Sequence, residues 1–311
     1  MRRLFPSPSW RRRIRRMKRD MLEKQLKREL KNWDPKRKSR SRKLSWLLLG
    51  LAVLLILGAG LYPLYRNWEE GAPERMLNHG GELESAHQFE TAEALYQQLS
   101  QDYAATPQAP EALYRLARIE QYNRQNLRKA LLWYLRLEKA YPDNPLVHAT
   151  RRESARISKY SLGDFAQAIS FYERLLLSGD ENGDRYLFEI ADCYFQLGNY
   201  VQARIELEIL GENYPDSPLL VEALYRKGGL LVLEGRNKEA GETWTALVER
   251  YPESIYRSQA EFDLAKLLEE DGRLAEALKK YQEIDDFPQP QLLEEKIEHL
   301  KKRIAEKKKA V

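Results

Sequence analysis

Leu187–Pro215, LFEIADCYFQLGNYVQARIELEILGENYP, reads as two helices joined by a tight turn. Gly198 marks the break, because glycine accepts the left-handed backbone that ends one helix and opens the next. Ala203, five residues on, lets two antiparallel helices approach closely, since the distance between axes depends on side-chain size. Leu207 lies four residues further along and shares its helix face. Tyr214-Pro215 closes the second helix, because proline cannot continue it. Leu224–Pro252 repeats the order with Gly235, Ala240, Trp244 and Tyr251-Pro252.

Outward from this hairpin the same alanine recurs as Ala92, Ala130, Ala168, Ala203, Ala240 and Ala277, at separations of 38, 38, 35, 37 and 37 residues. Four residues after each stands Tyr96, Tyr134, Tyr172, Leu207, Trp244 or Tyr281. Glycine precedes four of them by five residues, at Gly163, Gly198, Gly235 and Gly272. Tyrosine follows four of them by eleven, at Tyr103, Tyr141, Tyr214 and Tyr251. Asn144-Pro145 and Ser217-Pro218 supply a cap and a first-turn proline for the next helix.

The pattern resembles the tetratricopeptide repeat, a pair of antiparallel helices stacked into a superhelix. The resemblance covers residues 74–288 as six hairpins and implies an all-α solenoid. It departs in the first hairpin, where His87 replaces the glycine and Ala104 the proline, and in the third, where Ser178–Asp184 replaces Tyr-Pro. The period exceeds the usual ~34 residues, and the surplus is assigned to the YPDSP and YPDNP turns. YPDSP followed by EALY is similar to a bacterial envelope subgroup, which includes the Tol–Pal coordinator and the lipoprotein of the β-barrel assembly machine. Residues 289–311 carry an apolar stripe, Leu292, Leu293, Ile297, Leu300 and Ile304, read as a helix capping the last repeat.

A second feature precedes the repeats. Trp46–Leu64, WLLLGLAVLLILGAGLYPL, holds no charge over 19 positions, enough to span the ~30 Å core of a bilayer as a helix. Residues 44–65 are therefore expected to be a single transmembrane helix, with Leu47, Leu54 and Leu55 facing lipid and Trp46 and Tyr62 at the headgroup levels. A core helix of this length would carry polar residues on one face. A cleaved signal has a shorter charged leader than 43 residues, and a lipoprotein signal needs a cysteine after the apolar run. Residues 1–43 hold 19 Lys and Arg against four acids, a net of +15, which leaves −10 for residues 44–311. By the positive-inside rule the N-terminus is expected in the cytoplasm and the repeats beyond the inner membrane, on the periplasmic side. Residues 66–73 are read as a linker.

Within the tail, Trp10, Ile14, Met17, Met21, Leu22, Leu26, Leu30 and Trp33 recur at the spacing of one helix face among Arg and Lys. Asp34-Pro35 ends that helix, and Lys36–Lys43 is read as a flexible basic linker. A basic amphipathic helix beside a membrane lies on it, its cations meeting anionic headgroups. A solvated tail and phosphate binding use the same charges; Trp10 and Trp33 suit a lipid interface better, so nucleic acid is not expected as a partner.

No catalytic or metal constellation emerges, and no cofactor is expected. His79, His87, His148 and His299 are scattered. Cys193, the single cysteine, reads as a small core residue. Asp180, Asn182 and Asp184 begin like a calcium loop, but Arg185 stands where that loop needs glycine and Ala191 where it needs glutamate. What remains is a surface. The family resemblance places Arg115, Tyr122, Tyr160, Arg185, Phe188, Phe195, Tyr225 and Phe262 along a concave groove formed by the first helices. Tyr, Phe and Arg dominate binding hot spots; the competing reading buries these rings between hairpins. The expectation is a membrane-anchored, non-enzymatic scaffold binding a protein or peptide partner in the cell envelope. The alternative is a regulator that couples a cytoplasmic partner to an envelope complex.

Overall fold

The computed structural model describes residues 8–32, 35–179 and 181–309. The chain divides into two compact units, Met1–Ala72 and Pro73–Val311.

In the first unit, α1 runs Pro8–Asn32 and α2 Pro35–Glu70. On α1 the side chains of Met17, Met21, Leu22, Leu26 and Leu30 are all exposed. Trp33, Asp34 and the Trp10 side chain lie outside the described residues. Two linkers read from the sequence are helical instead. Residues 36–43 hold neither glycine nor proline, and Pro35 has the backbone angle preset for a first helical position. The helix therefore propagates from Pro35 straight into the apolar run. At the far end it continues to Glu70, where Arg66 pairs with Glu70 at 2.6 Å one turn on. Leu44–Tyr62 is long and apolar enough to cross a membrane, with a mean hydropathy of 2.4 and no burial. Trp46, Leu47, Leu54, Leu55 and Tyr62 are exposed along it.

The second unit is six helical hairpins and a final helix. The pairs are α3 (Ala72–Ser85) with α4 (Phe89–Asp102), α5 (Gln108–Arg118) with α6 (Leu127–Ala140), and α7 (Leu146–Arg156) with α8 (Phe165–Leu176). Then come α9 (Gly183–Gln196) with α10 (Tyr200–Asn213), α11 (Leu220–Leu233) with α12 (Asn237–Arg250), and α13 (Arg257–Glu270) with α14 (Leu274–Gln282). Helix α15 spans Pro290–Lys309. From α4 onward each helix packs on the next in sequence, so the core is a string of apolar clusters rather than one centre.

The repeat register holds. All six alanines are fully buried, and their partners Tyr96, Tyr134, Tyr172, Leu207, Trp244 and Tyr281 are buried beside them. A third position completes the seam, on the first helix: Gly80, Ala117, Ala155, Ala191, Gly228 and Ala265. It must be small because the aromatic ring lies against it; a methyl on Gly80 or Gly228 would fall within 3.0 Å of the Tyr96 or Trp244 ring. The turn residue is left-handed in every hairpin, at Gly163, Gly198, Gly235 and Gly272 and also at His87 and Gln125.

One assignment changes. Of the four residues by which the two 38-residue repeats exceed ~34, one lies inside the first helix and not in a turn. Eight positions separate the seam residue from the turn residue in hairpins two and three (Ala117 to Gln125, Ala155 to Gly163), and seven in the other four. A helix absorbs one extra residue as a single wide π turn. These turns are Ile119–Asn123 and Ile157–Leu162. They close with Asn126 N–H donating to Glu120 O and Asp164 N–H to Ser158 O, both at 2.8 Å.

Between hairpins, the Asn144 side chain accepts from Leu146 N–H and Ser217 Oγ accepts from Leu219 N–H. The regular helices begin just beyond, at Leu146 and Leu220. In the glycine-rich third junction Asp180 lies outside the described residues. Asp184 there accepts from the Ser217 hydroxyl, which ties one turn to the next. Helix α15 caps the last hairpin through Leu300, fully buried, with Leu293 and Ile297 beside it. Glu269 accepts from Lys296 and Arg303 on this helix. Leu292, placed on the apolar stripe from sequence, is exposed.

Candidate functional site

The residue three before each left-handed turn residue projects from the end of the first helix. In hairpins one and six it is Glu84 and Glu269, each engaged in ion pairs, and in hairpin five it is Val232, partly buried against the core. In hairpins two, three and four it is Tyr122, Tyr160 and Phe195, whose rings are 53%, 63% and 44% exposed. Aromatic side chains are thus left open in the middle of the solenoid only. The π turns bring Tyr122 and Tyr160 to this position.

Beside the two tyrosines lies a cavity of about 500 Å³, bounded by Tyr122, Arg152, Arg156, Tyr160, Arg185 and Glu189. Its wall is an arrangement used twice. Glu153 accepts from Gln121 at 2.9 Å, from Arg156 at 2.7 Å and from the Tyr122 hydroxyl at 3.3 Å. One hairpin later, Glu189 accepts from Lys159 at 2.6 Å and from the Tyr160 hydroxyl at 2.7 Å, and Lys159 also pairs with Asp192 at 2.6 Å. Burial pushes the Glu153 carboxyl up, but hydrogen bonds from Gln121 and Arg156 outweigh it and hold the group below the usual carboxylate range. Burial pushes Lys159 down, and its bonds to Asp192 and Glu189 outweigh that and raise it. The Tyr160 hydroxyl is raised by burial and by its bond to Glu189. Both carboxylates already hold a cation, Arg156 on Glu153 and Lys159 on Glu189. Arg152 and Arg185 are exposed and carry no ion pair among the described residues.

A second cavity, about 290 Å³, adjoins along α9. Phe188, Phe195, Leu230 and Leu233 line it, with Asp192 and Arg226 at the rim and Gly229 in the wall. Arg226 lies over the Phe188 ring at 4.6 Å, donates to Asp192 at 3.1 Å and pairs with Glu222 at 2.8 Å. Arg185, Phe188, Glu189, Asp192 and Phe195 fall at 3-, 4-, 7- and 10-residue offsets, which is one helix face. Helix α9 thus joins the two cavities.

Five of the eight groove residues named from sequence, Tyr122, Tyr160, Arg185, Phe188 and Phe195, meet on this face. The other three are used elsewhere. Arg115 donates to Glu111 at 2.8 Å and pairs with Glu84 at 3.5 Å. Tyr225 donates to Asp263 at 2.9 Å and stacks on Tyr256 at 5.5 Å. Phe262 is held between Phe287 and Tyr281, at ring separations of 4.5 and 5.1 Å. Sequence reading missed Arg152, Glu153, Arg156, Asp192, Arg226 and Gly229. The helical offset from Arg185 points to Glu189 and Asp192, but the π insertions displace the register that would have found Arg152 and Arg156.

Among the described residues no group of His, Cys, Asp and Glu is placed to hold a metal ion. Cys193 is fully buried, and burial pushes its thiol up to about 11, so it is neutral and shielded at physiological pH.

Tetratricopeptide repeat models match residues 77–145 and 225–289, and a further one matches residues 160–228. No curated protein matches the chain. Among solved structures, one of Naa15/Naa10 bound to HypK-THB aligns with 78% of this chain and 36% of its own, at 17% identity and a TM-score of 0.62. This chain spans about a third of that protein's length, and the likeness is one of fold. A tetratricopeptide repeat protein from Parabacteroides merdae aligns at 18% identity over 68% of this chain and 78% of its own, with a TM-score of 0.43. YrrB, described as a TPR protein with an unusual peptide-binding site, aligns at 19% over 61% and 91%, with a TM-score of 0.44. The family models together span well over half of the chain, over the same hairpins whose seam is described above, and this protein belongs to the tetratricopeptide repeat family.

Proposed function

We propose that this protein is a membrane-anchored scaffold that holds a protein or peptide segment against the first helices of hairpins two to five. The observation that carries the reading is the concentration of open aromatic rings and unpaired guanidinium groups on one face of the middle hairpins. Side chains of these types supply most binding energy at interfaces, and the family is one of interaction scaffolds. The apolar helix Leu44–Tyr62 supports the anchor, and the +15 tail supports a cytoplasmic N-terminus with the repeats on the periplasmic side of a bacterial inner membrane.

The test is site-specific photocrosslinking in intact cells. A crosslinking residue at Tyr160 should capture a discrete partner, and one at Glu242, on a second helix, should not. Equal yields from both positions, or none from Tyr160, would remove the docking function from this face. Protease added to spheroplasts should digest the repeats and spare the tail; protected repeats would reverse the topology.

A further inference from the structure

Gly229 has no structural reason to be glycine. It sits inside α11 with ordinary helical backbone, and a methyl built on it meets no atom within 4 Å. Its neighbour Gly228 is the opposite case, pressed against the Trp244 ring. Glycine in a helix interior weakens the helix relative to alanine. At position 229 that weakening gains no internal contact; it only leaves the notch between Phe188, Phe195 and Leu233 open. The notch holds about 290 Å³, more than the ~150 Å³ in which an apolar cavity takes up benzene, so one aromatic side chain fits.

The charge pattern beside it has a definite sign. Glu153 and Glu189 are already neutralised by Arg156 and Lys159. Arg152 and Arg185 are left over, a few residues along the same α7 and α9 surfaces. An incoming carboxylate finds two guanidinium forks that hold no ion pair among the described residues, whereas the carboxylates an incoming lysine would meet already carry cations.

We infer that the segment held on this face pairs carboxylates with one bulky apolar side chain: the carboxylates engage Arg152 and Arg185, and the apolar side chain enters the notch over Gly229. This rests on the docking role proposed above and specifies its ligand chemistry.

Fluorescence anisotropy with the full chain in detergent tests it. The probes are fluorescein-labelled 12-residue peptides of Gly and Ser carrying two adjacent glutamates and one tryptophan, at every separation from two to eight positions. Matched sets replace Glu by Gln, Glu by Lys, or Trp by Ala. At least one separation should bind tenfold or more tighter than its three matched controls, and that affinity should fall as salt rises. Gly229→Leu extends an apolar side chain toward the notch from a Cβ that meets no atom within 4 Å. It should cut the affinity of the tryptophan peptide to that of its alanine control while leaving the melting temperature equal or higher. Arg152→Ala with Arg185→Ala should abolish the preference for Glu over Gln. Lysine peptides that bind as well as glutamate peptides would overturn the inference, as would Gly229→Leu that binds unchanged or a panel without any binder. If the panel fails while the Tyr160 crosslink still captures a partner, the docking face stands and its chemistry is wrong. If the crosslink fails too, the docking reading itself falls.

Discussion

Gly228 and Gly229 make a paired experiment, because the same substitution should act with opposite sign at adjacent positions. A methyl at Gly228 would lie within 3.0 Å of three atoms of the Trp244 indole, which is buried and donates its Nε1–H to the Tyr225 carbonyl at 3.0 Å. The ring cannot yield without losing packing and bending that bond. Overpacking of this kind costs ~1–3 kcal/mol, and straining the hydrogen bond adds up to about 1. Alanine returns ~0.5–1 kcal/mol of helix propensity, so Gly228→Ala should be destabilising by ~1–3 kcal/mol. Gly229→Ala meets open space and keeps the propensity gain alone, so it should stabilise by ~0.5–1 kcal/mol. The variants should then differ by ~2–4 kcal/mol, or roughly 4–15 °C for a domain of this size. Thermal melts followed by circular dichroism at equal concentration read the difference, and Trp244 fluorescence should shift only in Gly228→Ala. Both variants moving in one direction would refute the close seam between α11 and α12.

Gln125 holds a left-handed backbone, with φ of 54°, where four other hairpins use glycine. Gln125→Gly should raise stability by about 0.5–1 kcal/mol in urea melts, after the larger unfolded-state entropy of glycine is subtracted. Glu153 titrates below its ordinary 4.5 in the folded chain. Its contribution is complete above that value and lost as pH falls through the lower folded value. Glu153→Gln should therefore be less stable than the parent at neutral pH, and the gap between their urea midpoints should narrow as pH falls below 4.5 and vanish in stronger acid. Deleting residues 1–35 while keeping the apolar helix should leave Tyr160 crosslinking intact if the repeats act alone; loss of the crosslink would favour a regulator working from both sides of the membrane.

The seam was legible because it is local. Alanine, the residue four after it and the glycine five before it recur within ten positions of chain, and their burial follows from helix geometry alone. The small residue on the first helix, from Gly80 to Ala265, was less visible because its distance to the alanine changes from 12 to 13 in the hairpins with π turns. A 38-residue spacing reports that a residue has been added and not where; hydrogen bonding decides that. The candidate face was read in part for the same reason. Exposure of Phe195 follows from its own helix, whereas the commitment of Tyr225 depends on Asp263 in the next hairpin. Arg115 depends on Glu84 in the preceding one. Free and engaged side chains of one type look alike until the neighbouring hairpin is in place.

The two π turns carry an evolutionary consequence. Removing one residue between Ala117 and Gln125 would give the seven-position interval that the outer hairpins already use. The seam would close as it does elsewhere, while Tyr122 and the residues around it would rotate by about 100°, just over a quarter of a turn. Gain or loss of a single codon in this window thus redraws the exposed face of a hairpin and leaves its packing untouched. Binding surfaces on such a chain can be shuffled by length as well as by side chain, and each step begins and ends at a folded protein.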